Sequence, residues 1–193
     1  MKKIILSIIT ITILTISCKK ENSSTNSNIF SKQVNVTVTA VLSGLDSVFS
    51  KEQVVPLTGD VGEDFTIWVR KDIHKNSSST SLMINGLSDR QLSGTNYELK
   101  TLNLNDVINT TSNSWANGAG LGNAYYKLEN SILTNIIPPG SGDKYLGLKL
   151  KLSDNTTHYG WLIVNYSVDG LSLTVKEFAY NKNANEEIKA GQK

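Results

Sequence analysis

The stretch Lys144 to Tyr180, KYLGLKLKLSDNTTHYGWLIVNYSVDGLSLTVKEFAY, decides the fold, because apolar and polar residues alternate along three consecutive segments of it. Such alternation is typical of strands that bury one face. Polar residues at 153–157 separate the first two segments, and Asp169-Gly170 separates the second from the third. The stretch therefore predicts three antiparallel strands joined by two hairpins.

The Asp169-Gly170 pair predicts the register of the second hairpin. Asp-Gly between two alternating runs favours a two-residue type I′ turn, whose central residues both take positive φ. This turn sets three facing pairs on the core side: Val168 with Leu171, Tyr166 with Leu173, and Val164 with Val175. In the first hairpin, a five-residue loop sets two more: Leu148 with Leu162, and Leu146 with Val164. All three strands then share one apolar face.

The opposite face of these strands predicts a candidate binding surface. It is made of four aromatic residues and a lysine: Tyr159, Trp161, Phe178, Tyr180 and Lys149. The unshifted register sets Trp161 beside Phe178 and Tyr159 beside Tyr180, where they either lie under another layer or are exposed to a ligand. The same register puts Glu177 on the core face opposite Leu162. We therefore expect a β-bulge or a sheet end near Glu177, and a bulge there would turn the aromatic pairs inward.

The C-terminal third resembles a widespread group of secreted bacterial β-sandwich domains. The resemblance rests on Tyr159-Gly160-Trp161, the Asp-Gly turn, Ala179-Tyr180, and the closing residues Ile188 and Ala190-Gly191. These domains carry a YGW strand, an AY strand and a closing I-x-A-G, often with a sorting or lipid anchor at one end. The resemblance covers less than half of the chain. It implies a β-sandwich, and it supplies no catalytic residue because the group has no established activity.

The N-terminus has the pattern of a bacterial lipoprotein signal peptide. Two lysines precede an apolar run at residues 4–16, which is shorter than the roughly 20 residues that a spanning helix needs. The residues that end at Cys18 resemble a lipobox, with the small Ser17 before the cysteine and Thr15 where leucine is usual. Residues 1–17 are thus the predicted signal peptide, and Cys18 is the predicted lipidation site. An ordinary leader with an incidental cysteine is the alternative.

Residues 18–33 are predicted to be a lipidated cysteine and a flexible polar tether. Residues 22–33 are rich in Ser, Asn and Thr, and a coil of this length holds a domain about 20 Å from the membrane. Acyl chains anchor a protein without a spanning helix, because each buried CH₂ contributes about 0.8 kcal/mol. Lys19-Lys20-Glu21 resembles the charged stretch of surface-exported Bacteroidota lipoproteins, and a simply solvated part of the tether is the alternative. The predicted location is the cell outer membrane, facing either the periplasm or the exterior.

Length and charge narrow the function classes. The 193 residues, 39% of them hydrophobic, suffice for one domain with a sizeable core, which we place at 34–193. Without Lys2 and Lys3 of the leader, 17 basic residues balance 17 acidic ones. The mature chain therefore has no electrostatic footprint for nucleic acid.

The N-terminal half adds further strand signals. Val34 to Leu42 alternates cleanly, and Phe65 to Arg70 places Phe65, Ile67 and Val69 inward. Other segments have weaker patterns: residues 71–81 and 109–123 are predicted loops, and residues 128–137 are a predicted helical turn. Many short strands without βαβ spacing predict an all-β antiparallel sandwich, with jelly-roll-like and Ig-like strand orders both open.

Groups that could carry chemistry are scattered. His74 and His158 lie without a nucleophile elbow or zinc-site spacing, and the carboxylates occur mostly singly. The sequence therefore predicts a protein that is not an enzyme and has no cofactor. Asp60, Glu63 and Asp64 are a weak calcium candidate, because hard oxygen ligands on a Gly-containing loop suit Ca²⁺. A solvated turn is the alternative for these three residues.

The sequence predicts a non-catalytic envelope protein that binds a glycan or a surface protein. Flat aromatic rings can stack on the apolar faces of sugars, and packing of the same rings in the core is the alternative. A structural or assembly subunit that joins its neighbours through an edge strand is the alternative function.

Overall fold

The computed structural model describes residues 28–43, 47–50, 53–57, 65–74, 77–86, 90–95, 99–116, 124–127 and 140–193. The regular elements within these ranges are strands: Ile29–Ser43 (β1), Ser47–Ser50 (β2), Gln53–Val55 (β3), Phe65–His74 (β4), Ser77–Gly86 (β5), Arg90–Ser93 (β6), Thr101–Leu102 (β7), Val107–Ile108 (β8), Trp115–Ala116 (β9), Ala124–Lys127 (β10), Asp143–Lys151 (β11), Thr157–Tyr166 (β12), Ser172–Asn181 (β13) and Ile188–Lys189 (β14). In these ranges no helix is long and apolar enough to cross a membrane.

Two antiparallel sheets share the long strand β1. Residues 29–39 of β1 pair with β13 in the front sheet, whose order is β1-β13-β12-β11-β6-β9, with β7 also on β11. Residues 40–43 pair with β2 in the back sheet, whose order is β1-β2-β4-β5-β10, with β3 also on β4. β14 and β8 form a separate two-stranded sheet.

The inner faces of the two sheets form the main core. Its buried members come from alternate positions of both sheets, among them Val55, Phe65, Ile67, Val69 and Ile84 in the back sheet, and Leu146, Leu148, Leu150, Leu162, Val164, Tyr166, Leu173, Val175 and Phe178 in the front sheet. Burying an aliphatic or phenylalanine side chain contributes about 1.5–3 kcal/mol, so this shared core holds the sheets together. The predicted all-β sandwich is confirmed.

The second hairpin has the predicted register and a different turn. Tyr166 pairs with Leu173, and Val164 pairs with Val175, as predicted. The turn is not type I′, because Gly170 has a positive φ of 68° and Asp169 does not. Gly170 N donates to Ser167 O, which centres the turn on Val168 and Asp169.

The side chains of Ser167 and Asp169 explain why the loop at residues 167–172 is wider than the predicted two-residue turn. Asp169 Oδ1 accepts hydrogen bonds from Ser167 Oγ and from Leu171 N, at 2.5 and 2.9 Å. Aspartate and serine often close turns through such bonds to nearby groups. Val168 is 86% exposed as a result, so the prediction that it faces Leu171 on the core side is wrong.

The first hairpin differs from the prediction by two residues. Leu146 pairs with Leu162, and Leu148 pairs with Gly160, instead of Leu148 with Leu162. The loop closes more tightly than expected, because Asn155 takes a positive φ of 64° and its N–H donates to Leu152 O. A shift of two residues keeps every side chain on its face, so the predicted apolar face is confirmed.

The β-bulge expected near Glu177 is present. Val164 pairs with Val175, but Ile163 pairs with Glu177, which leaves Lys176 as the extra residue. The bulge reverses the faces of the residues that follow it. Phe178 therefore points into the main core opposite Leu162, and the predicted pairing of Trp161 with Phe178 is wrong.

β1 begins at Ile29, whereas the sequence predicts a flexible tether up to residue 33. Phe30 explains the earlier start, because its ring packs against those of Phe178 and Tyr180, at centroid distances of 5.8 and 5.2 Å. The exposed polar residues that follow Phe30 give this part of the strand the composition of a linker.

The back sheet contains one further difference. Residues 71–81, predicted as a loop, supply the end of β4 and the start of β5. The serine run pairs with β4 along its whole described length. Ladder hydrogen bonds here outweigh the weak strand propensity of serine. The predicted helical turn at 128–137 lies outside the described residues.

Candidate functional site

The predicted aromatic binding surface is buried for the most part. Trp161 and Phe178 are 0% exposed and Tyr159 is 3% exposed, while Tyr180 and Lys149 are half-buried. The bulge also divides the set, because Phe178 and Tyr180 pack on the main core and the other aromatic residues lie on the outer face of the front sheet. These five residues therefore do not form one exposed surface.

The buried residues of the outer face form a second core. It consists of Leu102, Ile108, Tyr159, Trp161, Ala179, Ile188 and Ala190, with Ile29, Trp115, Tyr145 and Ile163 partly buried around them. The Tyr145 and Trp161 rings meet edge to face at 5.6 Å between centroids. The covering layer is the small sheet of β8 and β14 together with the C-terminal residues.

The C-terminal residues close the second core. Trp161 Nε1 donates to Gln192 O at 3.1 Å. Gly191 has a φ of 83°, and a methyl group there would overlap the Leu104 side chain. The residues of the YGW, AY and I-x-A-G segments thus meet in the second core, apart from Tyr180, and their roles here are structural.

Glu177 lies on the outer face with a charged partner. The bulge removes it from the core face predicted for it, and its carboxylate oxygen is 2.7 Å from Lys193 Nζ. Glu177 is 6% exposed, so the lysine offsets the cost of burying a charge.

His158 is a buried residue with a structural role. Its Nδ1 donates to Asn181 O at 2.8 Å, and its Nε2 is 2.6 Å from Thr156 Oγ1. Thr156 also bonds Asp154, and these hydrogen bonds are the main reason why the pKa of the Asp154 carboxyl is lowered. The cluster attaches the β11–β12 loop to β13.

Within the described ranges, no group of three or more His, Cys, Asp or Glu residues is placed to hold a metal ion. The calcium candidates Asp60, Glu63 and Asp64 lie outside the described residues. A shallow cleft of about 260 Å³ is lined by Gly94, Thr95, Leu99, Lys100 and Ser114. Small-molecule sites usually measure about 300–1,000 Å³, so this cleft is a weak candidate.

A polar area beside the second core is the best candidate surface. Thr37, Thr174, Asn165 and Asp143 are register partners across four adjacent strands, β1, β13, β12 and β11. Partners across a ladder point to the same face, so the four side chains form one row. Thr39 and Ser172 pair one step further along β1 and β13. We call these residues and Lys176 the polar face.

Side-chain hydrogen bonds order the polar face. Thr37 Oγ1 and Thr174 Oγ1 are 2.8 Å apart, and Thr39 Oγ1 and Ser172 Oγ are 3.0 Å apart. Asp143 Oδ1 accepts from Asn165 Nδ2 and Lys176 Nζ, both at 2.7 Å. The hydrogen bond from Lys176 is the main cause that lowers the pKa of the Asp143 carboxyl. The row is therefore held in place before any ligand binds.

The alternation in the sequence also marks residues of the polar face, but the prediction of a binding surface followed the aromatic residues instead. Thr37 and Thr39 occupy the polar positions of the alternation in β1, and Ser172 and Thr174 occupy those of β13. Each pair reads as ordinary solvent-facing polarity. Only the pairing of β1 with β13, which joins residues more than 130 positions apart, brings them together.

No protein-family model, curated protein or solved structure matches this chain. No relative therefore supplies a ligand, a partner or a reaction for the polar face. The described residues themselves provide the evidence on function.

Proposed function

We propose that the mature protein is a lipid-anchored, non-catalytic β-sandwich protein of the bacterial cell envelope that binds a glycan through the polar face. The observation that carries the proposal is the in-register row of Thr37, Thr174, Asn165 and Asp143 on a solvent-facing part of the front sheet. Thr37 and Asp143 are exposed, and the other two are half-buried.

The chemistry of the polar face suits a polyhydroxylated ligand. Each Thr or Ser hydroxyl can donate one hydrogen bond and accept others, so a hydroxyl paired with its neighbour keeps capacity for a ligand. Short side chains that are already ordered lose little conformational entropy on binding. Rows across a sheet repeat every 4.7–4.9 Å or so between strands, which offers a regular array to a linear chain of sugars.

The position of the polar face suits an anchored protein. The part of the predicted tether that precedes β1 joins the domain at Ile29, which packs at the second core. Thr37 lies eight residues further along β1, and a strand rises about 3.3 Å per residue. The polar face therefore begins roughly 25 Å from the attachment of the tether. A ligand outside the membrane could reach it without meeting the lipid.

Assembly through an edge strand is the alternative from another class. In the described ranges, one edge of each sheet is short, with two residues in β9 and four in β10. The other edge of the front sheet is residues 29–39 of β1, which pair with β13 on one side and carry a β-bulge between Gln33 and Val36 and the exposed Lys32. Short edge strands, bulges and lysines on an edge are ways in which proteins avoid pairing with other chains. The edges therefore give assembly less support than the polar face gives to glycan binding.

The experiment is a glycan-array measurement with residues 19–193 and a variant of the polar face. In the double variant Thr37→Val and Thr174→Val, both partners of one hydrogen bond become isosteric apolar groups, a change that is nearly neutral for stability. Valine is also a good strand residue. We expect the variant to keep its melting temperature and to lose glycan affinity by about tenfold, since removal of one good hydrogen bond costs about 1.4 kcal/mol.

Thr110→Val is the matched control, because Thr110 is exposed and lies away from the polar face, in the turn after β8. It should leave glycan binding unchanged. Absence of binding to any glycan, or equal binding by the double variant and the control, would refute the proposal. Concentration-dependent oligomers in sedimentation, without glycan binding, would favour assembly instead.

A further inference from the structure

We infer that the polar face selects an uncharged glycan and discriminates against acidic ones. The inference rests on the proposed function and names the class of ligand. It follows from the charges of the face, since discrimination between partners is a difference of affinities that unmatched charge can create.

The charged side chains of the polar face neutralise each other. Lys176 Nζ is 2.7 Å from Asp143 Oδ1, and both side chains are partly exposed. The remaining members are Thr, Ser and Asn, which carry no charge. The face therefore has a formal net charge of zero, and the positive charge of Lys176 is directed at a carboxylate of the same chain.

The turn of the second hairpin, residues 167–172, contains one carboxylate and no lysine or arginine. Asp169 lies in the turn that follows Ser167, and its Oδ1 accepts from Ser167 Oγ and Leu171 N. An acidic sugar at this end would meet a second carboxylate. Its own charge would lose hydration without gaining a cation, which costs free energy, whereas a neutral sugar exchanges hydrogen bonds of similar strength.

This selectivity depends on the charge of Asp143. Asp143→Asn keeps the size of the side chain and an oxygen that accepts from Lys176, but it leaves the charge of Lys176 unmatched. The face then carries one net positive charge. One unit charge at about 4 Å in water is worth roughly 1 kcal/mol, which corresponds to about a fivefold change in affinity.

The test measures binding of residues 19–193 to dextran, mannan and xylan backbone as neutral probes, and to polygalacturonate and heparin as acidic probes. For the natural sequence we expect binding to at least one neutral probe and weaker binding to both acidic ones. For Asp143→Asn we expect affinity for an acidic probe to rise by about fivefold at low salt and to fall again as salt screens the charge. Lys176→Gln is the control, because it leaves the polar face with one net negative charge. It should not gain affinity for the acidic probes.

Tighter binding of acidic than of neutral probes by the natural sequence would overturn the inference while leaving glycan binding intact. Failure of Asp143→Asn to gain acidic binding, in a variant whose melting curve remains cooperative, would also overturn it. Absence of binding to both classes, or binding to a protein alone, would overturn the proposed function together with the inference.

Discussion

Gly160 and Ala179 lie on adjacent strands so closely that a methyl group on Gly160 would overlap the Ala179 carbonyl oxygen. The two residues are displaced by one position in the register, since Gly160 pairs with Tyr180 and Ala179 with Trp161. Trp161, the next residue of β12, is fully buried, and the C-terminal residues close over it through the hydrogen bond from Trp161 Nε1 to Gln192 O. The glycine of the YGW segment therefore sets the packing distance between β12 and β13.

We predict that Gly160→Ala destabilises the domain by about 2–4 kcal/mol, because the clash is with backbone and either the strands or the ladder hydrogen bonds must move. Gly142→Ala is the control: Gly142 has a φ of 76°, but no atom lies within 4 Å of the added methyl group. That change should cost only the conformational strain of about 1–2 kcal/mol. Urea unfolding of both variants measures the difference. Equal losses would mean that the close approach is unimportant.

The sequence predicted the elements whose pattern is local. Alternation placed Leu146 and Val164 on the core face. That prediction holds despite the two-residue error in the first hairpin, because a shift of two residues leaves each side chain on its face. The bulge at Lys176 could be anticipated, because an unshifted register buried the Glu177 carboxylate in an apolar core.

Long-range partners set the limits of the prediction. The covering of Trp161 depends on Gln192 and on β14, which no local pattern connects to β12. β1 extends into a segment with the composition of a linker because the ring of Phe30 packs against the ring of Tyr180. The polar face likewise exists only once β1 lies beside β13. Alternation within one segment does not show with which distant segment that segment pairs.

The Glu177–Lys193 pair predicts an asymmetric response to mutation. Lys193→Met leaves a carboxylate that is 6% exposed without its lysine, and we expect a loss of about 1–2 kcal/mol because the ammonium is itself half-exposed. Glu177→Gln removes the buried charge and should cost less. Thermal and urea unfolding of the two single variants and the double variant gives the coupling energy. A greater loss for Glu177→Gln than for Lys193→Met would contradict this account of the pair.

The proposed lipidation of Cys18 predicts that the protein associates with a membrane. Cys18→Ser removes the thiol that would carry the acyl chains, so the protein expressed with residues 1–17, the predicted signal peptide, should move from the membrane fraction to the soluble fraction of the cell envelope. Mass spectrometry of the natural protein should show a lipid-modified cysteine at its new N-terminus. Ser17→Ala, which keeps a small residue before the cysteine, is the control and should remain membrane-bound. An unmodified Cys18 in the natural protein would exclude the lipid anchor.

Asp143 predicts how part of the stability depends on pH. Hydrogen bonds, first from Lys176 and then from Asn165, lower the pKa of its carboxyl in the folded state, and partial burial opposes them. A carboxyl with a lowered folded pKa contributes stability above its unfolded value of about 3.9, and this contribution is lost as the pH falls through the folded pKa. Asp143→Asn should therefore be less stable than the natural protein at pH 7, by about 0.2–1 kcal/mol for an exposed, salt-screened pair.

The difference between the natural protein and Asp143→Asn should shrink as the pH falls below the unfolded pKa of about 3.9 and vanish once the pH is well below the lowered folded pKa. Urea unfolding at pH 7, 4 and 2 measures it, and 0.5 M salt at pH 7 should reduce it by screening. Lys176→Met provides the matched test, because it removes the main hydrogen bond to the same carboxylate oxygen. Adding it to Asp143→Asn should change stability less than adding it to the natural protein. A difference that stays constant from pH 7 to pH 2 would show that Asp143 does not act through its charge.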